Sequence, residues 1–363
     1  ARAELVEVLE PSPHRVAPPC PFVPECGGCD LQHVTPDHQR ELKRRVVVEQ
    51  LERLGKLVDP PVEACRPVGP DTGYRTHAQL HAADDGRLGF HRAGSHDVVP
   101  IDHCLVLTPE AQRAREVVGD DTGATEVQVR GHASTGTAAA VLHPDTDAPI
   151  DMPAEGADVD VVLAQPDGST MAFRGDGVLT EQVAGLTYAF DASAFFQVNT
   201  GGAEAIVHEV LAAAGDLDGA IAWDLYAGVG LLSLPLARAG AEVVAVEGHV
   251  GAARWLAENA EANDLLDRIQ PVADDVAAFV ADDQDDTPDL VVLDPPRTGA
   301  GPDTCARLAE LRPDTIVYVA CDPAALARDA KVLVEQGYTL RRAVPLDLFP
   351  MTHHVEVVAT FGI

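Results

Sequence analysis

Two segments near the C-terminus contain residues that could carry out covalent chemistry. The apolar run Thr315–Ala320 is followed by Cys321, and residues 349–356 end in Glu356. Open α/β sheets place reactive groups at the carboxyl ends of buried strands, which is where Cys321 stands. A thiolate is a strong nucleophile, and a carboxylate in a second segment is a suitable proton-transfer partner. The pair therefore predicts covalent catalysis, with Cys321 as the nucleophile and Glu356 as its partner.

A glycine-containing turn indicates a nucleoside cofactor. Residues 220–225 form a predicted strand, and the turn that follows it carries Gly228 and Gly230 before a predicted helix. Glycine lets the backbone approach a ligand, and Glu247, at the end of the next predicted strand, is placed to bind ribose hydroxyls. Only two of the three glycines of a dinucleotide fingerprint are present. The pattern fits a nucleoside without pyrophosphate, as in S-adenosylmethionine; a generic strand–turn–helix unit is the alternative.

Further carboxylates belong to the same crevice. Asp294 follows the apolar run 290–293 and precedes two prolines, which hold the backbone in an extended turn. This fixes the carboxylate at the mouth of the sheet, above the predicted cofactor. Asp275, or equally its neighbour Asp274, could accept a hydrogen bond from an adenine amino group. Amine-methylating enzymes usually carry an aromatic residue after such a turn, whereas this chain has Arg297, which weakens that interpretation.

A cysteine cluster near the N-terminus predicts a metal centre. Three cysteines follow a C-x5-C-x2-C spacing in a Gly- and Pro-rich segment: Cys20, Cys26 and Cys29. In a protein without a secretory signal such spacing indicates metal more often than disulfides. The best fourth ligand is Cys104, with Cys65 second and His103 third. Four thiolates suit a [4Fe-4S] cluster or zinc, and the spacing favours the cluster. Cys65 and Cys305 are isolated and are predicted to be core residues.

Composition narrows the class of protein. The chain has 363 residues, is 46% hydrophobic and carries a formal net charge of −32. It is therefore globular, with room for two or three domains, and no apolar run is long enough to span a membrane. Its first residues do not combine a basic stretch with an apolar one, which predicts a cytoplasmic protein rather than a secreted one.

The net charge by itself argues against nucleic acid, because polyanions bind basic faces. One explanation is an acidic surface of the kind found in salt-adapted or GC-rich organisms, which the acidic loop at 282–286 favours. The other is a protein that never meets a polyanion. A local basic face is still available from these residues: Arg40, Lys43, Arg44, Arg45, Arg87 and Arg92. The run at 40–45 is equally well explained as an ordinary solvated helix face.

Hydrophobic periodicity divides the chain into three predicted domains. Residues 1–15 form a strand and connector, residues 16–190 a β-rich domain with the cysteine cluster, and residues 191–363 an α/β domain. In the middle domain, a helix over 36–56 is placed to pack on the α/β domain, and Asp-Asp-Gly at 84–86 predicts a hairpin turn. The other predicted strands there are 77–81, 87–90, 125–130, 138–142 and 159–163.

The last domain alternates strands and helices, which predicts a Rossmann-like, doubly wound sheet. Its predicted strands are 220–225, 242–247, 290–294, 315–320 and 355–361. Its predicted helices are 231–239, 252–262, 306–311 and 324–335.

Taken together, these segments resemble the RNA uracil-C5 (5-methyluridine) methyltransferase family, and within it the iron–sulfur-containing branch that acts on 23S rRNA. The similarity follows the family's order over nearly the whole chain. The matching segments are the cysteines at 20, 26 and 29, then residues 74–75, 89–90, 193–199, 224–230, 294–297, 321–323, 328–329, 347–350 and 354–356. That branch usually begins with a small RNA-binding β-barrel, the TRAM domain. Residues 1–15 would be the remnant of such a barrel, either cut away or shortened.

The resemblance implies a role for each site residue. Cys321 would add to uracil C6 through a thiolate, so the site is expected to lower its pKa. The uracil C5 would then take a methyl group from S-adenosylmethionine, and Glu356 would remove the C5 proton as a general base. Asp294 would contact the cofactor or the uracil edge. Four residues match the family's cofactor-binding positions: Gln197, Tyr226, Glu247 and Asp294.

The resemblance also implies an RNA substrate, most readily 23S rRNA, with tRNA as the alternative. The target uracil must leave the base stack, and Phe195 and Phe196 could fill the gap, although both are equally well explained as core aromatics. Methyl transfer is redox-neutral, so an iron–sulfur cluster is expected to be structural or to position RNA. The protein is expected to be a monomer. Two other classes stay open: a methyltransferase acting on an exocyclic amine, and an iron–sulfur electron-transfer or sensor protein.

Overall fold

The computed structural model describes residues 7–23, 25–144, 158–165, 169–282 and 287–363. The helices of this part are α1 (Pro36–Arg53), α2 (Pro109–Val118), α3 (Thr200–Ala214), α4 (Ser233–Arg238), α5 (Val250–Ala262), α6 (Val276–Ala281), α7 (Pro302–Leu311) and α8 (Pro323–Glu335). The strands are β1 (Arg66–Pro67), β2 (His77–Ala82), β3 (Leu88–His91), β4 (Val98–Pro100), β5 (Ala124–His132), β6 (Thr137–Pro144), β7 (Asp160–Ala164), β8 (Thr170–Arg174), β9 (Val178–Val183), β10 (Leu186–Asp191), β11 (Ile221–Leu225), β12 (Glu242–Glu247), β13 (Ile269–Ala273), β14 (Leu290–Leu293), β15 (Thr315–Ala320), β16 (Thr339–Asp347) and β17 (Glu356–Gly362).

The C-terminal half is built on a mixed sheet with the strand order β1-β16-β17-β15-β14-β11-β12-β13. Strands β11 to β15 pair in parallel, whereas β17 runs antiparallel to both β15 and β16. The sequence of β14, Leu-Val-Val-Leu, is apolar throughout and all four residues are buried. Such strands need a layer on both sides, because neither face of the strand is polar enough to meet water.

Helices cover both faces of this sheet and close two hydrophobic cores. On one face α3, α4 and α5 contribute Ile206, Leu234 and Leu256 to the first core. On the other face α1, α6, α7 and α8 pack against the second core, to which α1 contributes Leu51 and α8 contributes Leu326. The parallel strands end at one edge of the sheet, so the loops after β11, β12, β14 and β15 meet there.

A second sheet precedes this layer, with the order β4-β3-β2-β5-β6-β7-β8. Helix α2 packs on it and closes a separate core that includes Leu80, Val127 and Leu142. The β9–β10 hairpin lies apart from both sheets and buries Tyr188 and Phe190 in the first core of the α/β half.

The α/β fold, the strands at 220–225, 242–247, 290–294, 315–320 and 355–361 and the helix in the 36–56 region are confirmed. The Asp-Asp-Gly turn joins β2 to β3 as an antiparallel hairpin, also as predicted. Residues 1–15 were predicted as a strand and connector; the described residues 7–15 contain no strand, and their one sheet-like contact is the Arg15–Val34 bridge. Residues 1–6 lie outside the described part, so the predicted strand stays a prediction. Among the described helices, none is long and apolar enough to cross a membrane.

Candidate active site

The antiparallel pairing of β15 with β17 brings Cys321 and Glu356 to the same place. Ala320 pairs with Val357, so the next residue on one strand and the preceding residue on the other lie at opposing positions. Those two residues are Cys321 and Glu356, which are 35 positions apart in the sequence. The two predicted reactive residues therefore face one crevice at the carboxyl end of β15.

Glu356 is a buried carboxyl group with one unpaired oxygen among the described residues. Its relative exposure is 2%, and Oε1 has no hydrogen-bond partner among the described residues. Burial raises the pKa of Glu356 well above its ordinary value, the nearby Asp294 raises it further, and Arg297 opposes both. A buried, unpartnered carboxyl group is costly to keep, which points to a ligand that completes its environment.

Cys321 is half-buried, and its pKa is raised rather than lowered. Burial, with smaller contributions from Glu356 and Asp294, raises the pKa of the Cys321 thiol to about 11. Arg297 acts in the opposite direction but does not compensate. The expectation of a lowered pKa is wrong for the protein by itself, because the prediction considered the needs of the reaction and not the two carboxyl groups beside the sulfur.

Asp294 links the substrate side of the crevice to the cofactor side. Its backbone N–H donates to the carbonyl of Leu225 at 3.3 Å, which places it beside the end of β11. Its Oδ2 accepts a hydrogen bond from Gln197 Nε2 at 3.4 Å. Burial raises the pKa of Asp294 to about 7, although the hydrogen bond from Gln197 opposes the shift. Asp294 also raises the pKa of Glu356, so ionisation of one carboxyl group disfavours ionisation of the other.

The predicted cofactor turn has the geometry of a ligand cradle. Tyr226 adopts a left-handed conformation with φ 64°, an uncommon state for a residue other than glycine. Gly228 also has a positive φ, and a Cβ placed there would meet no atom within 4 Å. Glu247 Oε2 accepts a hydrogen bond from the Gly228 N–H at 2.9 Å, which ties the turn to the end of β12. The open space over Gly228 and the carboxylate beside it fit a nucleoside.

Asp275 lies at the far side of this cradle. Its Oδ1 accepts a hydrogen bond from the Ala278 N–H at 3.0 Å and so caps α6. The charge of Asp275 contributes to raising the pKa of Tyr226 to about 12, after the larger effects of burial and of Cys305. The side chain therefore stands near Tyr226, with a second oxygen available for an adenine amino group.

The four predicted metal-binding cysteines line one cavity of about 340 Å³: Cys20, Cys26, Cys29 and Cys104. Two of them accept backbone hydrogen bonds, Cys26 from the Gly28 N–H at 3.4 Å and Cys104 from Val106 and Leu107. His103, the third choice of ligand, also lines the cavity. Among the described residues, no three His, Cys, Asp or Glu side chains are grouped as they would be around a single metal ion.

The remaining cysteines behave as predicted. Cys65 and Cys305 are both buried in the second core. Cys65 lies near Asp347 and Lys43, whose charges act on its thiol, and it does not line the cysteine cavity. Cys104 is therefore the better fourth member of the cluster.

Helix α1 holds the segment before Glu356 in place, which the sequence pattern did not reveal. Lys43 is 2% exposed and its Nζ contacts Asp347 Oδ1 at 2.5 Å and donates to the Phe349 carbonyl at 2.9 Å. One turn earlier, Gln39 Oε1 accepts a hydrogen bond from the Met351 N–H at 2.9 Å. In the structure, the buried residues of α1 form an i, i+4 row: Gln39, Lys43, Val47 and Leu51. Lys43 is therefore wrong as a member of a surface basic face.

The two phenylalanines separate in the structure. Phe196 is buried and stacks on Phe190 with ring centroids 4.6 Å apart, so it is a core aromatic. Phe195 is 73% exposed. Of the two, Phe195 is the side chain available to a base.

A doubly wound sheet with an open glycine cradle over β11 and β12, and reactive groups over β14, β15 and β17, defines an S-adenosylmethionine-dependent methyltransferase. Comparison with known proteins narrows this class. Residues 176–361 match the family model described as tRNA (Uracil-5-)-methyltransferase. The chain therefore belongs to the RNA uracil-C5 methyltransferase family, and it is an S-adenosylmethionine-dependent enzyme that methylates C5 of uracil in RNA.

Individual relatives agree with this assignment. An uncharacterized RNA methyltransferase of Streptomyces avermitilis is 36% identical, over 99% of this chain and 86% of its own length. The 23S rRNA (uracil(1939)-C(5))-methyltransferase RlmD of Pseudomonas entomophila is 35% identical, over 99% of this chain and 83% of its own. The Pyrococcus abyssi tRNA (uracil-54, C5)-methyltransferase, solved with S-adenosyl-L-homocysteine, has a TM-score of 0.78 at 26% identity, covering 98% of this chain and 88% of that one. The amine-methyltransferase and electron-transfer alternatives are therefore not supported.

Proposed function

We propose that this enzyme methylates C5 of a uridine in 23S rRNA through a covalent bond between Cys321 and uracil C6. The observation that carries the proposal is the buried Glu356 carboxyl group at the position opposing Cys321, whose Oε1 has no hydrogen-bond partner among the described residues. A general base for a carbon-bound proton needs this setting, because desolvation raises its proton affinity and keeps water away. A uracil in the crevice would supply the partner that the carboxyl group lacks.

The residues of the chain share the work of the reaction. Cys321 first loses its thiol proton to solvent, and the thiolate sulfur then forms a bond to C6. This bond moves the C5=C6 electron pair toward O4 and makes C5 nucleophilic. Once C5 carries the methyl group, it also still carries its hydrogen. Glu356 takes that proton, the electron pair re-forms the C5=C6 bond, and the C6–S bond breaks to release Cys321. Atoms and charges balance, and no oxidant or reductant is required.

S-adenosylmethionine supplies an electrophilic methyl group and a positive sulfonium when it is bound. Tyr226, Gly228 and Glu247 would hold its nucleoside, since they form the cradle, and Asp275 would accept from the adenine amino group. Gln197 and Asp294 would stand between the cofactor and the uracil, because their hydrogen bond lies where the two sites meet. The second oxygen of Asp294 would contact either the cofactor or the uracil edge.

Two variants separate nucleophile from base. Cys321→Ala is expected to abolish methyl transfer and to form no covalent complex with RNA. Glu356→Gln is expected to form the complex but not resolve it, so a protein–RNA adduct should accumulate on a denaturing gel. Asp218→Asn, a change at an exposed position before β11, serves as a folded comparison variant that keeps both groups. Full turnover by Cys321→Ala would overturn the covalent mechanism.

The assignment to 23S rRNA rests on the relatives that carry that name at 35% identity over 99% of the chain. The tRNA enzyme shares the fold at 26% identity, so tRNA is the competing substrate. Mass-spectrometric mapping of 5-methyluridine in both RNAs from a deletion strain separates them. We expect the deletion strain to lack 5-methyluridine at one position of 23S rRNA. The wild-type gene should restore this modification, and the gene for Cys321→Ala should not. Loss confined to tRNA would reassign the substrate.

We also propose that Cys20, Cys26, Cys29 and Cys104 hold a [4Fe-4S] cluster. The shared cavity supports this, and so do the backbone N–H groups that point at Cys26 and Cys104, since such donors stabilise thiolate ligands. The cluster would brace the cysteine segment and has no part in methyl transfer. Visible absorbance with four irons per chain is expected from protein purified without oxygen, and zinc without absorbance would contradict it. Cys104→Ser should lose the metal, whereas Cys65→Ser should keep it.

We also propose that the enzyme is a monomer. An rRNA substrate supports a cytoplasmic location, where ribosomes are assembled in bacteria.

A further inference from the structure

A second concave surface lies beside the active site. It is a groove of about 530 Å³ between the C-terminal end of α1, the turn after Asp294, and the first turns of α8. Leu54, Ala324 and Ala325 provide an apolar floor. We call this surface, together with the charged residues that border it, the α8 groove.

The border of the α8 groove is basic in a strongly acidic protein. Arg297, Arg328 and Lys331 line it, and Asp322 is the one acidic lining residue. Asp322 Oδ1 is engaged by the N–H groups of Ala324 and Ala325, at 2.9 and 2.8 Å, as the cap of α8. The groove therefore has three cations and one carboxylate, which is already hydrogen-bonded. This local excess of positive charge contrasts with the net charge of −32 of the whole chain.

The cations differ in how freely they can meet a ligand. Arg328 is anchored, with Nη2 donating to the Thr298 carbonyl at 2.7 Å and lying 2.8 Å from Asp329 Oδ1. Lys331 is more available, since its contact with Glu335 is 3.7 Å long and its side chain is 44% exposed. Arg297 is exposed and makes no hydrogen bond or ion pair with any described residue. Arg297 and Lys331 are therefore the groups that an anion would engage.

Arg297 also connects the groove to the reacting residues. Its charge acts on the thiol of Cys321 and on the carboxyl of Glu356, while its side chain lines the groove. The groove lies on the β15 side of the sheet, whereas the cofactor cradle lies over β11 and β12. A ligand that fills the groove therefore extends from the uracil, not from the cofactor.

We propose that the α8 groove binds the ribose-phosphate backbone of the RNA next to the target uridine. The inference rests on the proposed RNA substrate and adds where the strand leaves the active site. Phosphates would meet Arg297 and Lys331, and sugars would lie on the apolar floor. Because these contacts go to the backbone, they position the strand without reading its sequence.

Lys331 offers the cleanest test, since it is outside the catalytic crevice. We expect Lys331→Glu to weaken binding of a uridine oligoribonucleotide by about 5- to 10-fold while kcat at saturating RNA stays unchanged. Lys331→Gln should lower the slope of log Kd against log salt by about 0.7, the value for one phosphate contact on a single strand. Arg312→Gln is the matched control: Arg312 is exposed and precedes β15, at the opposite end of that strand from Cys321.

A direct measurement is available because the chain has three lysines, of which Lys43 is buried. The oligoribonucleotide should protect Lys331 from amine acetylation, with exposed Lys56 as the internal reference. The groove proposal alone would be overturned by the following result: the wild-type protein binds and methylates RNA, the Lys331 variants bind RNA with unchanged affinity and salt slope, and RNA does not protect Lys331 from labelling. A wild-type protein that neither binds nor methylates RNA would overturn the proposed function, and the groove with it.

Discussion

At the scale of single residues, the sulfur of the proposed nucleophile Cys321 is the most informative group. Burial and, to a smaller extent, two carboxyl groups keep the Cys321 thiol protonated near neutral pH, with a pKa of about 11. A thiolate must form before C6 can be attacked. The positive sulfonium of the cofactor and Arg297 are the charges able to offset the two carboxyls. Reactivity of the thiol is therefore tied to assembly of the complex, which protects the free enzyme from alkylation and oxidation.

This arrangement predicts a rate that rises with pH. Below a pKa of about 11 the thiolate fraction of Cys321 grows tenfold per pH unit, because the thiol is the protonated form. We expect kcat/KM, which reports on the free enzyme, to rise between about pH 7 and pH 9, with an inflection from Asp294 near its pKa of about 7. The pH dependence of kcat/KM is measured from single-turnover methyl transfer at subsaturating RNA. A flat profile across that range would show that the thiolate is already formed.

Asp224 predicts a pH dependence of stability rather than of rate. It is fully buried, Oδ1 has no partner among the described residues, and burial raises its pKa from 3.8 to about 7. The folded protein thus holds the proton more tightly than the unfolded chain. This contribution is complete below about pH 4 and is lost as the pH rises through about 7, on the order of 4 kcal/mol in total.

Asp224→Asn should remove this loss, since an amide stays neutral while still accepting the hydrogen bond from Ser233. Urea unfolding at about pH 5 and pH 8 should show a smaller pH-dependent drop in the free energy of unfolding than for the wild type. Asp218→Asn, a change at an exposed position, is the control. An equal drop in Asp224→Asn and wild type would contradict the prediction.

At the scale of elements, α1 is the part that fixes the catalytic segment. Its N-terminal half binds the 347–351 segment through Gln39 and Lys43, and that segment leads directly into Glu356. Its C-terminal half packs Leu51 into the second core, against α8 and its neighbours. One helix therefore sets both the position of the proposed general base and one wall of the α8 groove.

Lys43→Met is expected to be severely destabilising. It would leave the Asp347 carboxylate, 1% exposed, with Arg40 at 3.7 Å as its remaining ion-pair partner. Removing one member of a buried pair costs about 3–5 kcal/mol, because the other charge stays buried without compensation. Chemical denaturation measures the loss, and the double variant with Asp347→Leu should recover part of it. Arg44→Ala, which breaks the surface pair with Glu41, should cost under about 1 kcal/mol.

The elements also show what the sequence could and could not predict. The strands that carry Asp294, Cys321 and Glu356 were predictable, because apolar runs buried on both faces are unmistakable and their ends are where sites form. Helix α2 was missed although Thr108 and Pro109 give a capping residue followed by proline at the first helical position. The signal was there, within a region predicted to be β-rich.

Other features depended on tertiary contacts. In the helix region at 36–56, the apolar side chains of Val46 and Leu54 are 43% and 39% exposed. The buried row includes Gln39 and Lys43 instead, because their polar ends bind a segment more than 300 residues away in the chain. No local pattern reveals such partners. The raised pKa of Cys321 has the same origin, since it depends on which carboxyls the fold brings close.

At the scale of the whole molecule, the net charge of −32 determines the long-range electrostatic interaction between the enzyme and RNA. The chain has 26 lysine and arginine residues against 58 acidic ones. Several of its cations already form ion pairs within the protein, for example Lys43 and Arg115. Long-range electrostatics therefore repel a polyanion, while short-range contacts such as those of the α8 groove attract it. The two effects differ in range, so salt acts on them differently.

This difference predicts an unusual response of the association rate. For basic RNA-binding proteins, salt slows association because it screens attraction. Here we expect the association rate constant to increase between about 20 and 200 mM KCl, since the Debye length shortens from about 20 Å to under 10 Å and screens the repulsion first. The dissociation rate constant should increase as well, because contacts with phosphate weaken.

Stopped-flow fluorescence with a labelled uridine oligoribonucleotide separates the two rate constants. Lys331→Glu sharpens the test: it makes the protein more acidic, so its association should rise more steeply with salt than that of the wild type, and Arg312→Gln should follow the wild type more closely. If association instead slows with salt in the wild type, local cations steer the encounter and the acidic surface lies too far from the entry path to matter. In that case the steering charges must be those that border the active site, because the remainder of the molecule has the wrong sign.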